Sequence, residues 1–310
     1  MLRSGLLWLS GRDGIQEFVR RNGVARSASR RFVAGETAND AVAAVRTINA
    51  RGLTATLDLL GESVTSPTDA AAARDQIVQL LDTIRANAID SHVSLKLTQL
   101  GLDIEERVCQ AHMEAILERA DGCGTFVRID MEDASCTNRT LRLFRDHLHP
   151  RFGDRVGVVL QSCLRRSEAD LESLLALGAC VRLVKGAYAE PAGIAYVKKH
   201  EVDAAFGRMT ERLLAAGRYP AIATHDERLI EHARDCAYRK GITPGAFEFQ
   251  FLYGVRRDLH EELRREGYRV RLYIPFGTQW YPYLLRRLAE RPANVAFVIG
   301  NVLRETFRRS

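Results

Sequence analysis

Eight short apolar runs of this chain carry, at or near their carboxyl ends, a polar side chain of a type that enzymes use. Carboxylates and imidazoles transfer protons, amines hold anions or form covalent bonds, and amides and phenols make directional hydrogen bonds. A strand that only packs in a core does not need such a group at its end. In chain order these residues are Asp58, Lys96, Asp130, Gln161, Lys185, His225, Gln250 and Tyr273. Their recurrence predicts a ring of candidate catalytic groups, and therefore an enzyme.

Stretches with the apolar spacing of amphipathic helices separate most of these runs. Eight strands that alternate with helices predict an α/β fold, a (β/α)8 barrel of the TIM type, whose strand carboxyl ends form the active-site face. We predict an N-terminal helical arm over residues 1–35 and one catalytic barrel domain over residues 36–310. A late helix is predicted near the end of the chain.

Local signals predict where several helices begin and end. Thr37 and Asn39 are candidate N-caps of the first helix, and Gly122 and Gly124 are expected to stop the helix before the third strand. A long helix is predicted from about residue 192 to residue 216.

Composition limits the classes of protein to which the chain can belong. With 46% hydrophobic and 27% charged residues in 310, it is predicted to be soluble and globular, and no apolar run approaches the roughly 18–20 residues that span a bilayer. The net charge of +6 predicts a solvated basic surface, with an anionic membrane surface or an acidic partner as alternatives. Nucleic-acid binding is disfavoured because the chain has no compact basic stripe interleaved with aromatic residues.

The cysteines and the N-terminus bear on the compartment. Six cysteines without C-x-x-C spacing indicate reduced, mostly buried thiols of an intracellular protein. The arginine-rich N-terminus is either a transit peptide or a helical arm that packs on the barrel. The arm is favoured because Asp13 and Glu17 interrupt the basic stretch and Ile15, Phe18 and Val19 have helical spacing.

The segment RLVKGAY ends the fifth strand. Strand alternation places Arg182 and Val184 on one face and Leu183 and Lys185 on the other, and Gly186 permits a tight turn beside a ligand. A lysine at this place could be a Schiff-base nucleophile, could hold an anionic or ring-oxygen group of a cofactor, or could form a structural salt bridge.

Two adjacent arginines, Arg286 and Arg287, lie on the predicted late helix. Neighbouring helical residues diverge by about 100°, so both cannot lie on one narrow solvent-facing stripe. The planar guanidinium suits bidentate contact with a carboxylate, so a helix over the barrel mouth could hold an anionic substrate between them. The alternative is an exposed pair in an arginine-rich chain.

The remaining candidates keep open alternatives. Asp130 and Lys96 at neighbouring strand ends could be a barrel-interior ion pair or could orient and complement a ligand. His225 is expected to be a packed, hydrogen-bonded residue rather than a metal ligand, since no H-E-x-x-H motif or carboxylate cluster accompanies it. The phosphate-binding signatures G-x-x-x-x-G-K-[ST] and G-x-G-x-x-G after a strand are also missing.

Eight segments in order resemble the flavin-dependent proline dehydrogenase family in its short, monofunctional bacterial form. They are DLLGE (58–62), SLKLT, RIDMED, RLVKGAY, ATH, FQFLYG, RLYIPFG and WYPYLLRRLAERPANV. The resemblance runs from about Arg30 to Val295. It implies a distorted (β/α)8 barrel in which FAD lies across the strand carboxyl ends and the late helix covers the mouth.

The resemblance also implies roles for individual residues. Asp130 and Arg182 would be catalytic, with Arg182 near flavin N5 and Asp130 partnering the arginine side of the site. The substrate would be bound by Lys96, Tyr188, Leu252, Tyr273, Arg286 and Arg287. FAD would be held by Met131, Gln161, Val184, Lys185, Gly186, Ala187, Thr224, His225, Gln250 and Glu290. No metal is expected, and Asp58 has no assigned role beyond structural support.

The implied reaction is oxidation of L-proline to 1-pyrroline-5-carboxylate, with hydride transfer from substrate C5 to flavin N5 and electrons passed to a quinone. Pyrroline-5-carboxylate dehydrogenase would be a separate protein. The implied location is the cytoplasm, with a peripheral contact at the inner face of the cell membrane. The sequence offers no single obvious base for the proline nitrogen, and water could serve.

Two competing functions follow from the same residues. A Schiff-base aldolase or phosphate-binding barrel would use Lys185, although the glycine-rich phosphate loop expected after the seventh and eighth strands is missing. A non-catalytic basic protein would use its arginines on a membrane or a nucleic acid, with steep salt dependence and no flavin.

Overall fold

The computed structural model describes residues 30–188 and 190–284 of the chain. Eight parallel strands follow one another around a closed barrel in which the first strand pairs with the last. The strands are β1 Thr54–Leu59, β2 Ser91–Leu95, β3 Val127–Ile129, β4 Val156–Gln161, β5 Cys180–Val184, β6 Ala221–Ala223, β7 Glu248–Leu252 and β8 Arg269–Phe276. The predicted TIM-type barrel is therefore confirmed.

Helices connect the strands and pack around the barrel. Within the described ranges they are α1 Ala38–Asn49, α2 Pro67–Ala86, α3 Glu106–Cys123, α4 Ala134–Leu143, α5 His149–Phe152, α6 Ser167–Ala176, α7 Lys199–Ala216, α8 Glu227–Arg239 and α9 Arg257–Arg265. A π-helical segment, Phe144–Leu148, joins α4 to α5. Residues 280–284 form a further helical turn after β8. None of these described helices is long and apolar enough to cross a membrane.

A capping box begins α1. The Thr37 hydroxyl accepts a hydrogen bond from the Asp40 N–H at 3.2 Å, and the Asp40 carboxylate accepts one from the Thr37 N–H at 3.0 Å. Thr37 is extended, as an N-cap must be, whereas Asn39 already lies in the first helical turn. Of the two candidate caps, Thr37 is correct and Asn39 is wrong.

Two other predicted helix boundaries shift. Gly124, at φ +69°, ends α3 in the left-handed conformation, while Gly122 lies inside the helix. Helix α7 begins at Lys199 rather than near residue 192. The preceding residues are drawn into a loop, where the Tyr196 N–H donates to the Cys163 carbonyl at 2.7 Å. This contact with the β4–α6 connection replaces the helical hydrogen bonds that local periodicity predicted.

The barrel interior is polar in the half that lies toward the amino-terminal ends of the strands. Arg271 Nε donates to both oxygens of the buried Glu248 carboxylate at 3.0 Å, and Arg128 Nη1 donates to the Cys180 carbonyl at 2.6 Å. Gly157 leaves room for this arginine, since a Cβ there would lie 2.5 Å from Arg128 Nη1. The apolar core lies instead between the strands and the surrounding helices.

The start of the described chain packs against its end. Phe32 and Val33 form a small buried cluster with Trp280, and Arg31 passes directly over Gly254, where a Cβ would lie 1.9 Å from the Arg31 carbonyl oxygen. These contacts lie beyond the carboxyl ends of β7 and β8. Residues 1–29 lie outside the described ranges, so the helical arm and the domain bounds stay predictions.

Candidate active site

A cavity of about 660 Å³ opens at the carboxyl ends of the strands. This volume falls within the roughly 300–1,000 Å³ typical of small-molecule and cofactor sites. All the predicted site residues that the structure describes line it: Lys96, Asp130, Met131, Gln161, Arg182, Val184, Lys185, Gly186, Ala187, Tyr188, Thr224, His225, Gln250, Leu252 and Tyr273. Three more, Arg286, Arg287 and Glu290, lie outside the described residues.

Asp130 is the centre of a buried hydrogen-bond network at one end of the cavity. Its Oδ1 accepts from Arg182 Nη1 at 2.8 Å and from Ser94 Oγ at 2.7 Å, and its Oδ2 accepts from the Tyr273 hydroxyl at 2.7 Å. The Arg182 guanidinium also lies over the Tyr273 ring, 5.4 Å from its centroid. Strands β2, β3, β5 and β8 thus each contribute one group, and among the described residues the arginine that Asp130 orients is Arg182.

Burial and charge determine the protonation of this network. Burial first, and the nearby carboxylates second, raise the pKa of Tyr273 well above its ordinary value, so the phenol stays a hydrogen-bond donor at neutral pH. The Nε of Arg182 is buried and has no hydrogen-bond partner among the described residues. A buried donor without a partner is costly, so Arg182 Nε is suited to an acceptor atom of a bound ligand.

Lys96 and Asp58 form an ion pair beside this network. Lys96 Nζ lies 3.3 and 3.4 Å from the two Asp58 oxygens and 4.0 Å from Asp130 Oδ2. Burial alone would lower the pKa of Lys96, but the charges of Asp58, Asp130 and the nearby Glu62 outweigh burial and raise it. Lys96 is therefore a charged ammonium at the wall of the cavity. The ion-pair alternative for Lys96 is realised mainly with Asp58, a partner that the sequence did not indicate.

The opposite end of the cavity carries a second charged cluster. Lys185 Nζ donates to Asp203 at 2.6 Å and to Asp226 at 2.9 Å, and Lys199 contacts the same two carboxylates. Burial alone would raise the pKa of Asp226, but the hydrogen bonds and charges of the two lysines outweigh burial and lower it to about 2. Of the three alternatives predicted for Lys185, its contacts therefore show the salt bridge.

The sequence had signals for only part of this cluster. Asp226 directly follows His225 at a strand end, so the ring pattern could have included it. Asp203 lies inside α7, where a carboxylate on an amphipathic helix ordinarily faces solvent, so no local signal marked it. Strand alternation predicted that Val184 and Lys185 lie on opposite faces of the fifth strand. The structure differs, because β5 ends at Val184 and both Val184 and Lys185 line the cavity.

Gly186 brings the backbone close to the cavity wall. Its φ is +111°, and a Cβ would lie 2.3 Å from Cys163 Sγ and 3.0 Å from Gln161 Oε1. Only glycine fits such a position without displacing its neighbours. The Gln161 amide is oriented by its hydrogen bond to the Glu132 carbonyl at 2.7 Å.

His225 is packed and hydrogen-bonded. Its Nε2 accepts the Leu252 N–H at 3.0 Å, and its ring meets the edge of Phe251 at 5.8 Å between centroids. This bond assigns the proton of the neutral ring to Nδ1. Within residues 30–188 and 190–284, no group of three His, Cys, Asp or Glu side chains is arranged to hold a metal ion.

Known proteins are similar to this chain over nearly its whole length. The family model "Proline dehydrogenase" matches residues 41–299. Proline dehydrogenase 1 of Bacillus subtilis subsp. natto is 40% identical over 305 residues, covering 98% of this chain and 100% of that protein. The proline dehydrogenase of Deinococcus radiodurans is 39% identical over 307 residues, covering 98% of each chain.

A solved structure has the same barrel. Proline utilization A from Bdellovibrio bacteriovorus, inactivated by N-propargylglycine, superposes with a TM-score of 0.81 at 27% identity, over 90% of this chain and 34% of that longer chain. Full-length matches near 40% identity, together with the family model and the shared barrel, identify the family. The chain belongs to the proline dehydrogenase family of oxidoreductases.

Proposed function

We propose that the chain oxidises L-proline to 1-pyrroline-5-carboxylate with bound FAD, by hydride transfer from substrate C5 to flavin N5, and passes the electrons to a quinone. The observation that carries the proposal is the buried network of Asp130, Arg182, Tyr273 and Lys96 at one end of a cofactor-sized cavity. Such a network can hold a small zwitterion rigidly against a second bound molecule, which is the positioning that hydride transfer requires.

The cavity fits FAD by three features of its wall. The buried Arg182 Nε lacks an acceptor among the described residues, and Gly186 lets the loop after β5 pack closely on Cys163 and Gln161 at the cavity wall. The lining then combines apolar surface with oriented polar side chains such as Gln161, whose amide donates to the Glu132 carbonyl. When bound, FAD would supply the hydride acceptor.

Residues from the strand ends and the loops after them would hold the cofactor. They are Met131, Gln161, Val184, Lys185, Gly186, Ala187, Thr224, His225 and Gln250, with Glu290 from the segment predicted to form the late helix. Lys185 is held by two carboxylates, so a polar group of the cofactor would meet an already oriented ammonium.

A different set of residues would bind the substrate. Arg286 and Arg287 would bind the proline carboxylate, with the Lys96 ammonium beside it. Tyr188, Leu252 and Tyr273 would form the walls that exclude water from the ring. Asp130 keeps Arg182 and the Tyr273 hydroxyl in place and so sets the geometry of the reacting atoms.

The partners follow from the reaction. We propose a membrane quinone as the electron acceptor, which requires at least a transient contact with the inner face of the cell membrane by an otherwise cytoplasmic protein. The product would be used by a separate pyrroline-5-carboxylate dehydrogenase. No nucleic acid takes part.

An absorbance spectrum tests the proposal. The purified protein should be yellow, and its flavin band should bleach anaerobically on adding L-proline but not on adding glycine, which has no ring carbon to oxidise. A colourless protein that cannot be reconstituted with FAD would contradict the proposed cofactor, and flavin that L-proline does not reduce would contradict the proposed substrate.

A further inference from the structure

Asp58 is a buried carboxylate to which the proposed reaction gives no role. It lies near the end of β1, its side chain is 1% exposed, and it lines the active-site cavity. A buried charge is strongly unfavourable unless it is paired. Asp58 therefore needs a charged partner. That partner is Lys96, whose Nζ lies within hydrogen-bond distance of both Asp58 oxygens.

A second carboxylate near Lys96, that of Asp130, is already engaged. Asp130 lies 4.0 Å from Lys96 Nζ, beyond hydrogen-bond distance, and its two oxygens accept from Arg182, Ser94 and Tyr273. Asp58 is the carboxylate that receives the Lys96 hydrogen bonds. Strand β1, which carries Asp58, pairs with β2, and Asp58 lies opposite Ser94 in that pairing. Because Lys96 follows two residues after Ser94, the Asp58 carboxylate and the Lys96 ammonium lie side by side.

Several groups face Lys96 from different elements. Asp58 comes from β1, Glu62 from the loop after it, Asp130 from the end of β3 and Tyr188 from the loop after β5. Burial opposes the ammonium form of Lys96, and these anionic or polar neighbours outweigh burial. Asp58 makes the largest contribution among them, so removing its charge should lower the pKa of Lys96.

We propose that Asp58 is a positioning residue that holds the Lys96 ammonium in a fixed place at the substrate end of the cavity. The inference rests on the proposed function for the identity of the substrate. In this arrangement Lys96 complements the substrate carboxylate and does not accept the proton of the substrate nitrogen.

The small number of lysines makes a direct test possible. The chain contains five: Lys96, Lys185, Lys198, Lys199 and Lys240. Flavin-loaded protein labelled with carbon-13 at the lysine ε position should give five signals whose shifts report protonation, and Lys96→Arg assigns the Lys96 signal by its loss. In the parent protein this signal should keep the protonated shift past about pH 10.4, where an ordinary lysine is half titrated.

Asp58→Asn should move the Lys96 titration midpoint down by at least one pH unit, and Asp58→Glu should keep it near the parent value. Asp203→Asn is the matched control, because it removes a carboxylate from Lys185 and should leave the Lys96 signal in place. The signals of the other lysines show whether each variant is folded. If Asp58→Asn does not fold, the parent and Asp58→Glu titrations still decide the question.

The proposal is overturned if Lys96 in the parent loses its proton at or below the ordinary lysine value, or if Asp58→Asn leaves its midpoint unchanged. Kinetics add a second readout. In Asp58→Asn, KM for L-proline should be higher than in the parent at pH 8, with a smaller change in kcat, because the Lys96 ammonium beside the substrate carboxylate is no longer held in place. Parent flavin that L-proline fails to bleach would contradict the proposed function, while the lysine titration would still test Asp58.

Discussion

Replacing Asp130 by asparagine removes one negative charge from the centre of the substrate-end network and keeps the shape of the side chain. Asparagine can still accept one or two of the hydrogen bonds from Arg182, Ser94 and Tyr273 through its carbonyl oxygen. It cannot neutralise Arg182, whose side chain is 5% exposed, and its amide donors face groups that also donate. The main loss is therefore the counter-charge of a buried guanidinium.

The size of the effect follows from burial. Breaking a buried ion pair by neutralising one partner costs roughly 3–5 kcal/mol, and the retained carbonyl places Asp130→Asn at about 3 kcal/mol. At about 2–4 °C per kcal/mol for a large domain, the melting temperature should fall by about 6–12 °C. Because Arg182 then loses its fixed position, the rate of flavin reduction should fall about 100-fold.

Thermal unfolding followed by circular dichroism gives the stability change, and anaerobic stopped-flow absorbance gives the rate of flavin reduction by L-proline. Parent and variant are compared at equal flavin occupancy, since a bound ligand itself stabilises the fold. Asp154→Asn is the matched control, because Asp154 pairs with Arg218 on the surface, where both side chains are more than half exposed. An exposed pair contributes at most about 1 kcal/mol. An Asp130→Asn protein that is no less stable than Asp154→Asn and reduces flavin at the parent rate would refute the reasoning.

Three further predictions address other parts of the site. Arg286→Ala or Arg287→Ala should raise KM for L-proline, at a cost of about 2–4 kcal/mol, while FAD stays bound; unchanged kinetics in both variants would rule out the carboxylate clamp. Gly186→Ala should lower the flavin content per chain, measured by absorbance. The φ of +111° is unfavourable for alanine, and its Cβ would lie only 2.3 Å from Cys163 Sγ, so the loop at the cavity wall would have to shift. Gly193→Ala, where a Cβ would meet no atom within 4 Å, is its control, and equal flavin content in the two would contradict the prediction. Burial lowers the pKa of His260 to about 4. In the unfolded state the pKa of this histidine is about 6.5, so between pH 6.5 and pH 4 the unfolded state binds more protons than the folded state. About 3 kcal/mol of stability should therefore be lost as the pH falls from 6.5 to 4. Denaturant titrations should find this loss reduced in His260→Phe, and an equal loss in both proteins would exclude His260 as its source.

Much of the architecture could be predicted from the sequence because its signals are local. Each apolar run that ends in a polar residue became a barrel strand, and the cavity brings the described strand-end residues together. The helix predictions failed where a distant segment intervened. Helix α7 starts at Lys199 because the residues before it bond to the segment after β4, which no periodicity within residues 190–198 encodes.

The partners of the charged residues could not be predicted in the same way. Asp58 had no assigned role because nothing near it in sequence neutralises it, and Lys96 lies 38 residues away. Lys185 was left with three alternatives, and the structure shows an ion pair with Asp203, which lies in helix α7, 18 residues away along the chain. A residue's type indicates that it needs a partner, but the fold determines which partner it meets.

The sequence by itself determined the barrel, the ring of polar strand ends and, through its motifs, the resemblance to proline dehydrogenases, because these depend on the order and spacing of neighbouring residues. Only the tertiary structure decided which of those charges balance one another. Asp130 accepts hydrogen bonds from Ser94, Arg182 and Tyr273, which are 36, 52 and 143 residues away. Closure of the barrel places all three donors around one carboxylate, and a buried carboxylate is stable only with such donors around it.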